Sequence, residues 1–128
     1  MLRGLPFKRR PVPPIRDRAL SGLALPELRS VGGTLNVQSN AALASLTLPL
    51  LAAVDDSVNV QSNPVLPALS LPALLAVGNV FAVRNNEILA SLSAPLLVTI
   101  GGSTTIVGNS ALAACEGAAI VDVGDCRP

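Results

Sequence analysis

The chain has 128 residues, room for a single core, and with 50 % hydrophobic and 13 % charged residues it is not a disordered sequence. It holds no His, Trp or Tyr and only two aromatics, Phe7 and Phe81. That excludes a His-based triad, a His-ligated metal and the aromatic platforms on which bases or sugar rings stack. The formal net charge of +1 divides unevenly: residues 1–19 carry six basic side chains against Asp17, and residues 20–128 carry three against seven acids.

Residues 1–19 read as a basic, Pro-rich, disordered leader. Prolines at 6, 11, 13 and 14 favour an extended, polyproline-like course. Lys8, Arg9 and Arg10 interrupt the apolar run that a secretory signal would need. Lys8, Pro11 and Pro14 have the basic-x-x-Pro-x-x-Pro spacing of SH3 ligands, a pattern frequent by chance. The body has no clustered Lys/Arg face, so the expectation is a solvated tail and no nucleic-acid partner.

From Leu20 the chain repeats with a period of 23 residues. Four units begin at Leu20, Leu43, Leu66 and Leu89, and a fifth, incomplete one begins at Leu112. Leu recurs at 23, 46, 69 and 92, Pro at 26, 49, 72 and 95, and Leu again at 28, 51, 74 and 97. Val or Ile fills 31, 54, 77 and 100, and Asn fills 40, 63, 86 and 109. Each unit has two runs of period-2 apolarity, such as Leu46/Leu48 and Val58/Val60, which predict two strands. The Pro column marks a corner, because Pro has no N–H for a ladder. The Gly32-Gly33, Gly78-Asn79 and Gly101-Gly102 pairs mark a second corner, where positive φ is cheap. The predicted unit is strand, Pro corner, Gly corner, strand, Asn corner.

Equal units stack with equivalent strands in parallel, so residues 20–111 form four coils around one apolar core. Eight columns point inward on this reading, those of residues 20, 23, 25, 28, 31, 35, 37 and 42, with Thr104 as the polar exception. Asn40, Asn63, Asn86 and Asn109 form a structural ladder that offers amides to buried backbone groups of its own corner and the next coil. The first coil leaves an uncapped edge at Leu20, on which another chain could pair.

These columns resemble the receptor L-domain-like, leucine-rich repeats of bacterial surface and fungal cell-wall proteins. The resemblance covers Leu20 to about Leu112 and rests on Leu23, Leu25, Pro26, Leu28, Val31, Gly32, Gly33, Leu35, Val37, Asn40 and their counterparts. Asp55-Asp56 departs from it at the Gly-Gly pair, and Ala94 and Thr104 at core positions. It implies an all-β fold, a right-handed parallel β-helix-like solenoid of 23-residue leucine-rich coils, with an extracellular or cell-surface setting and no catalysis. Such proteins often close with cysteines, so Cys115 and Cys126 look like a stapled cap over residues 112–128; two free thiols in a reducing compartment are the alternative.

For function, the outward positions matter. Asn36/Gln38, Asn59/Gln61 and Ala82/Arg84 form a polar ribbon on the second strand, suited to hydrogen bonding with a protein or glycan. The expected function is a non-catalytic recognition or scaffold module; the alternative is a fragment of a polysaccharide-active β-helix enzyme. Against the latter, Asp55-Asp56 stand in a turn column, and Glu27, Glu87 and Glu116 occupy different columns. No cofactor or metal is implied. Residues 57–83 are uncharged, but their prolines and asparagines keep the 23-residue register, so no transmembrane span is expected.

Overall fold

The structure, a computed structural model, describes residues 15–126. The leader's basic cluster and its SH3-like spacing lie outside the described residues. The first coil contains β1 (Gly22–Ala24), β2 (Ser30–Val31) and β3 (Leu35–Gln38). The second contains β4 (Ser45–Thr47), β5 (Ala53–Val54) and β6 (Val58–Gln61). The third contains β7 (Ala68–Ser70), β8 (Ala76–Val77) and β9 (Phe81–Arg84). The fourth contains β10 (Ser91–Ser93), β11 (Thr99–Ile100) and β12 (Thr104–Val107). A fifth winding holds β13 (Ala114–Glu116) and the 3-10 turn η1 (Gly124–Cys126).

Equivalent strands pair in parallel across a step of 23 residues, as Leu23 with Leu46 and Val37 with Val60. The result is a β-solenoid with three sheets, ordered β1-β4-β7-β10-β13, β2-β5-β8-β11 and β3-β6-β9-β12. The sequence predicted two strands per coil and missed the middle one. That strand is two residues long, too short to show alternation.

At the Pro corner a β-turn closes from the N–H of Leu28 to the carbonyl of Leu25 (3.3 Å), with its equivalents at Leu51, Leu74 and Leu97. Pro26, Pro49, Pro72 and Pro95 take the second position of these turns, where a fixed φ near −65° is already the required value. The Gly corner works differently from the prediction. Gly78 and Gly101 have no positive φ. A Cβ at Gly78 would collide with the carbonyl oxygen of Asp55, and one at Gly101 with that of Gly78. Glycine there permits coils to approach.

Seven of the eight expected inward columns line the core, with Leu43, Leu66 and Leu89, Leu51 and Leu74, and Val60 and Val83 among its fully buried members. Thr104 is half-buried. The eighth column is a correction. Val65 is 39 % exposed and Ile88 47 %, so residues 42, 65, 88 and 111 face outward. A second β-turn explains it: the N–H of Leu43 bonds the carbonyl of Asn40 (3.2 Å), repeated at Leu66, Leu89 and Leu112, so the two residues between project away.

The asparagines replace that column inside. Asn40, Asn63 and Asn86 are 0 % exposed and Asn109 2 %. Oδ1 of Asn63 accepts from the backbone N–H (3.2 Å) and Nδ2 (3.0 Å) of Asn40 one coil earlier. Nδ2 of Asn63 donates to the carbonyl of Val37 (3.2 Å) and to Oδ1 of Asn86 (3.1 Å). The same set recurs at Asn86 and Asn109. Among the described residues no buried side-chain polar atom lacks a partner.

Both ends of the ladder are aspartates. Oδ2 of Asp125 accepts from the backbone N–H of Asn109 (2.8 Å) and from its Nδ2 (3.3 Å). At the other end the N–H of Asp17 donates to Oδ1 of Asn40 (2.6 Å). The expected leader boundary at residue 20 therefore falls inside hydrogen-bonded structure. Ile15 bridges Val37 in parallel, donating to the carbonyl of Asn36 (2.8 Å) and accepting from the N–H of Gln38 (3.0 Å). Cys115 and Cys126 form a disulfide, Cα to Cα 5.6 Å. Cys126 is 8 % exposed, and Ile120 is fully buried beside the last coil.

Two expectations follow for stability. Replacing Asn63 with Ala leaves the N–H of Asn40 buried without a partner, at about 1–3 kcal/mol; urea unfolding will show a loss at least twice that of Asn36→Ala on the half-buried outer face, which stays within about 0.5 kcal/mol. Reducing the disulfide, which closes a loop with a sequence separation of 11, will cost about 3 kcal/mol and lower Tm in the presence of dithiothreitol.

Candidate functional site

The polar ribbon sits on the outer face of the sheet β3-β6-β9-β12. Register places Asn36, Asn59, Ala82 and Thr105 in one row and Gln38, Gln61, Arg84 and Val107 in the next. Rows on one face lie about 6.6 Å apart along the strands and about 4.8 Å apart across coils. The five residues proposed from the sequence thus share one flat surface.

What the sequence missed is that the amides are partly engaged with one another. Nδ2 of Asn59 donates to Oδ1 of Asn36 (3.2 Å), and Nε2 of Gln61 donates to Oε1 of Gln38 (2.7 Å). Each pair is half-buried. The bonds tie the side chains of the first two coils together, and Ala82 and Arg84 follow in register on the third. Ala82 is 4 % exposed and gives that row a low point between Asn59 and Thr105.

Arg84 is exposed and makes no ion pair among the described residues. With Thr34, Ser57, Asn59, Gln61 and Ala82 it borders a shallow depression of ≈ 450 Å³. The surface therefore combines a guanidinium with five donors, two amide ladders and hydroxyls at the margin. Such groups bind carbonyls, hydroxyls or a carboxylate.

The acids do not converge. Asp56 Oδ1 accepts from Ser57 Oγ (3.2 Å) and Asn79 Nδ2 (3.2 Å) at the Gly corner, while Glu116 accepts from Ser93 Oγ (2.7 Å) on another sheet. Among the described residues no group of His, Cys, Asp and Glu could hold a metal ion, and no helix is long and apolar enough to cross a membrane.

A second depression, of ≈ 500 Å³, runs beside the Asn corner between Ser62, Asn85 and Gly108 on one wall and Pro64, Glu87 and Ser110 on the other. Sequence reasoning did not find it. Its origin is a left-handed column: Ser39 (φ 60), Ser62 (φ 58), Asn85 (φ 55) and Gly108 (φ 75) each precede a ladder Asn. Pulling the Asn inward leaves its two neighbours as the walls of a groove. Only Gly108, and to a lesser degree Asn85, carried a compositional sign of that conformation.

No protein-family model, curated protein or solved structure matches the chain. Gln61→Ala and Arg84→Ala act on the half-buried and exposed face alone, so each will leave the unfolding free energy within about 0.5 kcal/mol of the parent. Denaturant titration checks this, and a larger loss would give these side chains a role in the fold.

Proposed function

We propose that the protein is a non-catalytic recognition or scaffold module that binds a protein or glycan through the outer face of the sheet β3-β6-β9-β12. The observation that carries the reading is the exposed Arg84, with no ion pair among the described residues, set beside two self-supporting amide ladders on one sheet. Side chains already held by their neighbours lose little conformational freedom on binding, which is the condition for affinity from a shallow site. The resemblance of the repeat to receptor L-domain-like, leucine-rich repeats points the same way. An extracellular or cell-surface setting fits the Cys115–Cys126 disulfide, since such bonds persist in oxidising compartments.

The test is a glycan array and a pull-down with the intact chain, each repeated with the double variant Gln61→Ala/Arg84→Glu. The expected result is a captured ligand whose affinity falls at least tenfold, about 1.4 kcal/mol, in the double variant. Retained affinity would move the site to another face. Turnover of a polysaccharide by the chain would replace this reading with the alternative of a β-helix enzyme fragment.

A further inference from the structure

The two ends of the coil stack are closed unequally. At the C-terminal end η1 lies against β12, and the disulfide and Ile120 cover the core. At the other end, among the described residues, Ile15 covers the β3 edge, and β1 and β2 stand at the edges of their sheets. Leu20, Leu23 and Leu25 are half-buried there, whereas Leu43, Leu46 and Leu48 one coil further are buried. We propose that this end is a self-association surface on which a second copy of the chain docks about a twofold axis, joining β1 to β1.

The backbone supports that pairing. The N–H of Leu25 donates to the carbonyl of Thr47 (3.0 Å) and the carbonyl of Ser21 accepts from Ala44 (2.8 Å), so these residues address β4. Because directions alternate along a strand, the N–H and C=O of Gly22 and Ala24 address the open side. A twofold axis normal to the sheet sets Gly22 opposite Ala24 of the second copy, and the reverse, with Leu23 facing its counterpart on the axis. Gly22 and Ala24 are small enough to leave the edge unobstructed.

The same rotation keeps both cores on one side of the joined sheet and exchanges the flanks, so the β3 flank of one copy meets the β2 flank of the other. Ile15 adds one strand layer, about 4.8 Å, on the β3 flank, and among the described residues the β2 flank has no such layer. The surplus of each copy fills the gap in the other. Stacking head to tail fails this criterion, because Ile15 of one copy and η1 of the next would occupy one layer.

Charge agrees. Arg16 and Arg18 stand at the Asn corner beside Asp17, and Glu27 at the Pro corner with Arg29 two residues on. Arg16, Arg18 and Glu27 are exposed and make no ion pair among the described residues. The exchange of flanks sets Glu27 of each copy against Arg16 and Arg18 of the other, twice in the dimer. Closed twofold association of this kind is the commonest symmetry of oligomers.

Light scattering on the full chain eluting from a sizing column tests the proposal. The expected mass is twice the 13.0 kDa of one chain. Ala24→Pro removes only an outward-facing N–H, so the variant will keep its circular dichroism spectrum and run at half the parent mass. Glu27→Arg will also halve the mass, and Glu27→Arg combined with Arg16→Glu and Arg18→Glu will restore it. A parent that stays monomeric through the micromolar range overturns the proposal. So does a dimer unaffected by Ala24→Pro and Glu27→Arg, or one that lengthens into higher oligomers head to tail.

Discussion

An asparagine that must accept two hydrogen bonds from the coil before it and give two to the coil after it ties the height of every winding to its neighbours. The bond from Asn40 N–H to Asn63 Oδ1, and its equivalents one and two coils on, exist only if each coil returns to the same corner after the same number of residues. The apolar columns depend on that return. A one-residue slip in a strand would turn Val58 and Val60 outward and bring Asn59 into the core. Hydrophobic burial supplies most of the driving force, but it is non-directional and would tolerate many registers. The ladder selects one.

The residue types along the ladder follow from this accounting. An interior rung both accepts and donates, which an amide can do and a carboxylate cannot. The last rung, Asp125, only accepts, from Asn109, and a carboxylate accepts more strongly than an amide. At Asp17 the backbone N–H enters the ladder and Oδ1 accepts from the N–H of Ala19 (2.9 Å). Of the two aspartates, Asp125 alone contributes its carboxylate as a rung, while Asp17 enters through its backbone.

The coil, its period and its parallel stacking were legible because they repeat: a residue type that recurs at 23, 46, 69 and 92 in one chain must occupy equivalent surroundings. Features without recurrence, or whose recurrence was in conformation rather than composition, were not legible. The left-handed column holds Ser39, Ser62, Asn85 and Gly108, four residues of three types, so only Gly108 and Asn85 hint at it and no recurring letter marks it. The outward column at residues 42, 65, 88 and 111 misled for the opposite reason, since Ala, Val and Ile look like core residues wherever they stand. Asp17 was hidden among arginines and prolines, and its bridge to the first coil is one residue shorter than the repeat, Ile15 rather than Pro14 aligning with Val37. The candidate face shows the same limit: its rows were readable, but whether an amide points to solvent or to its neighbour depends on a spacing that only stacking creates.

Division of labour between columns also bears on where binding resides. Inward positions are bound to each other through the register, so a change in one coil is felt in the next. Outward positions on the sheet β3-β6-β9-β12 are coupled only through side chains, and there the coils differ: Asn and Gln in the first two, Ala82 and Arg84 in the third, Thr105 and Val107 in the fourth. A surface that varies while its support repeats can acquire a ligand without cost to the fold. In the dimer inferred from the open end, the exchange of flanks places the two copies of this surface on opposite sides of the joined sheet. They cannot form one enlarged site. They can engage two separate partners, or two points on an extended one, so that holding the first raises the effective concentration of the second. A modest affinity at each shallow face would then suffice for a scaffold.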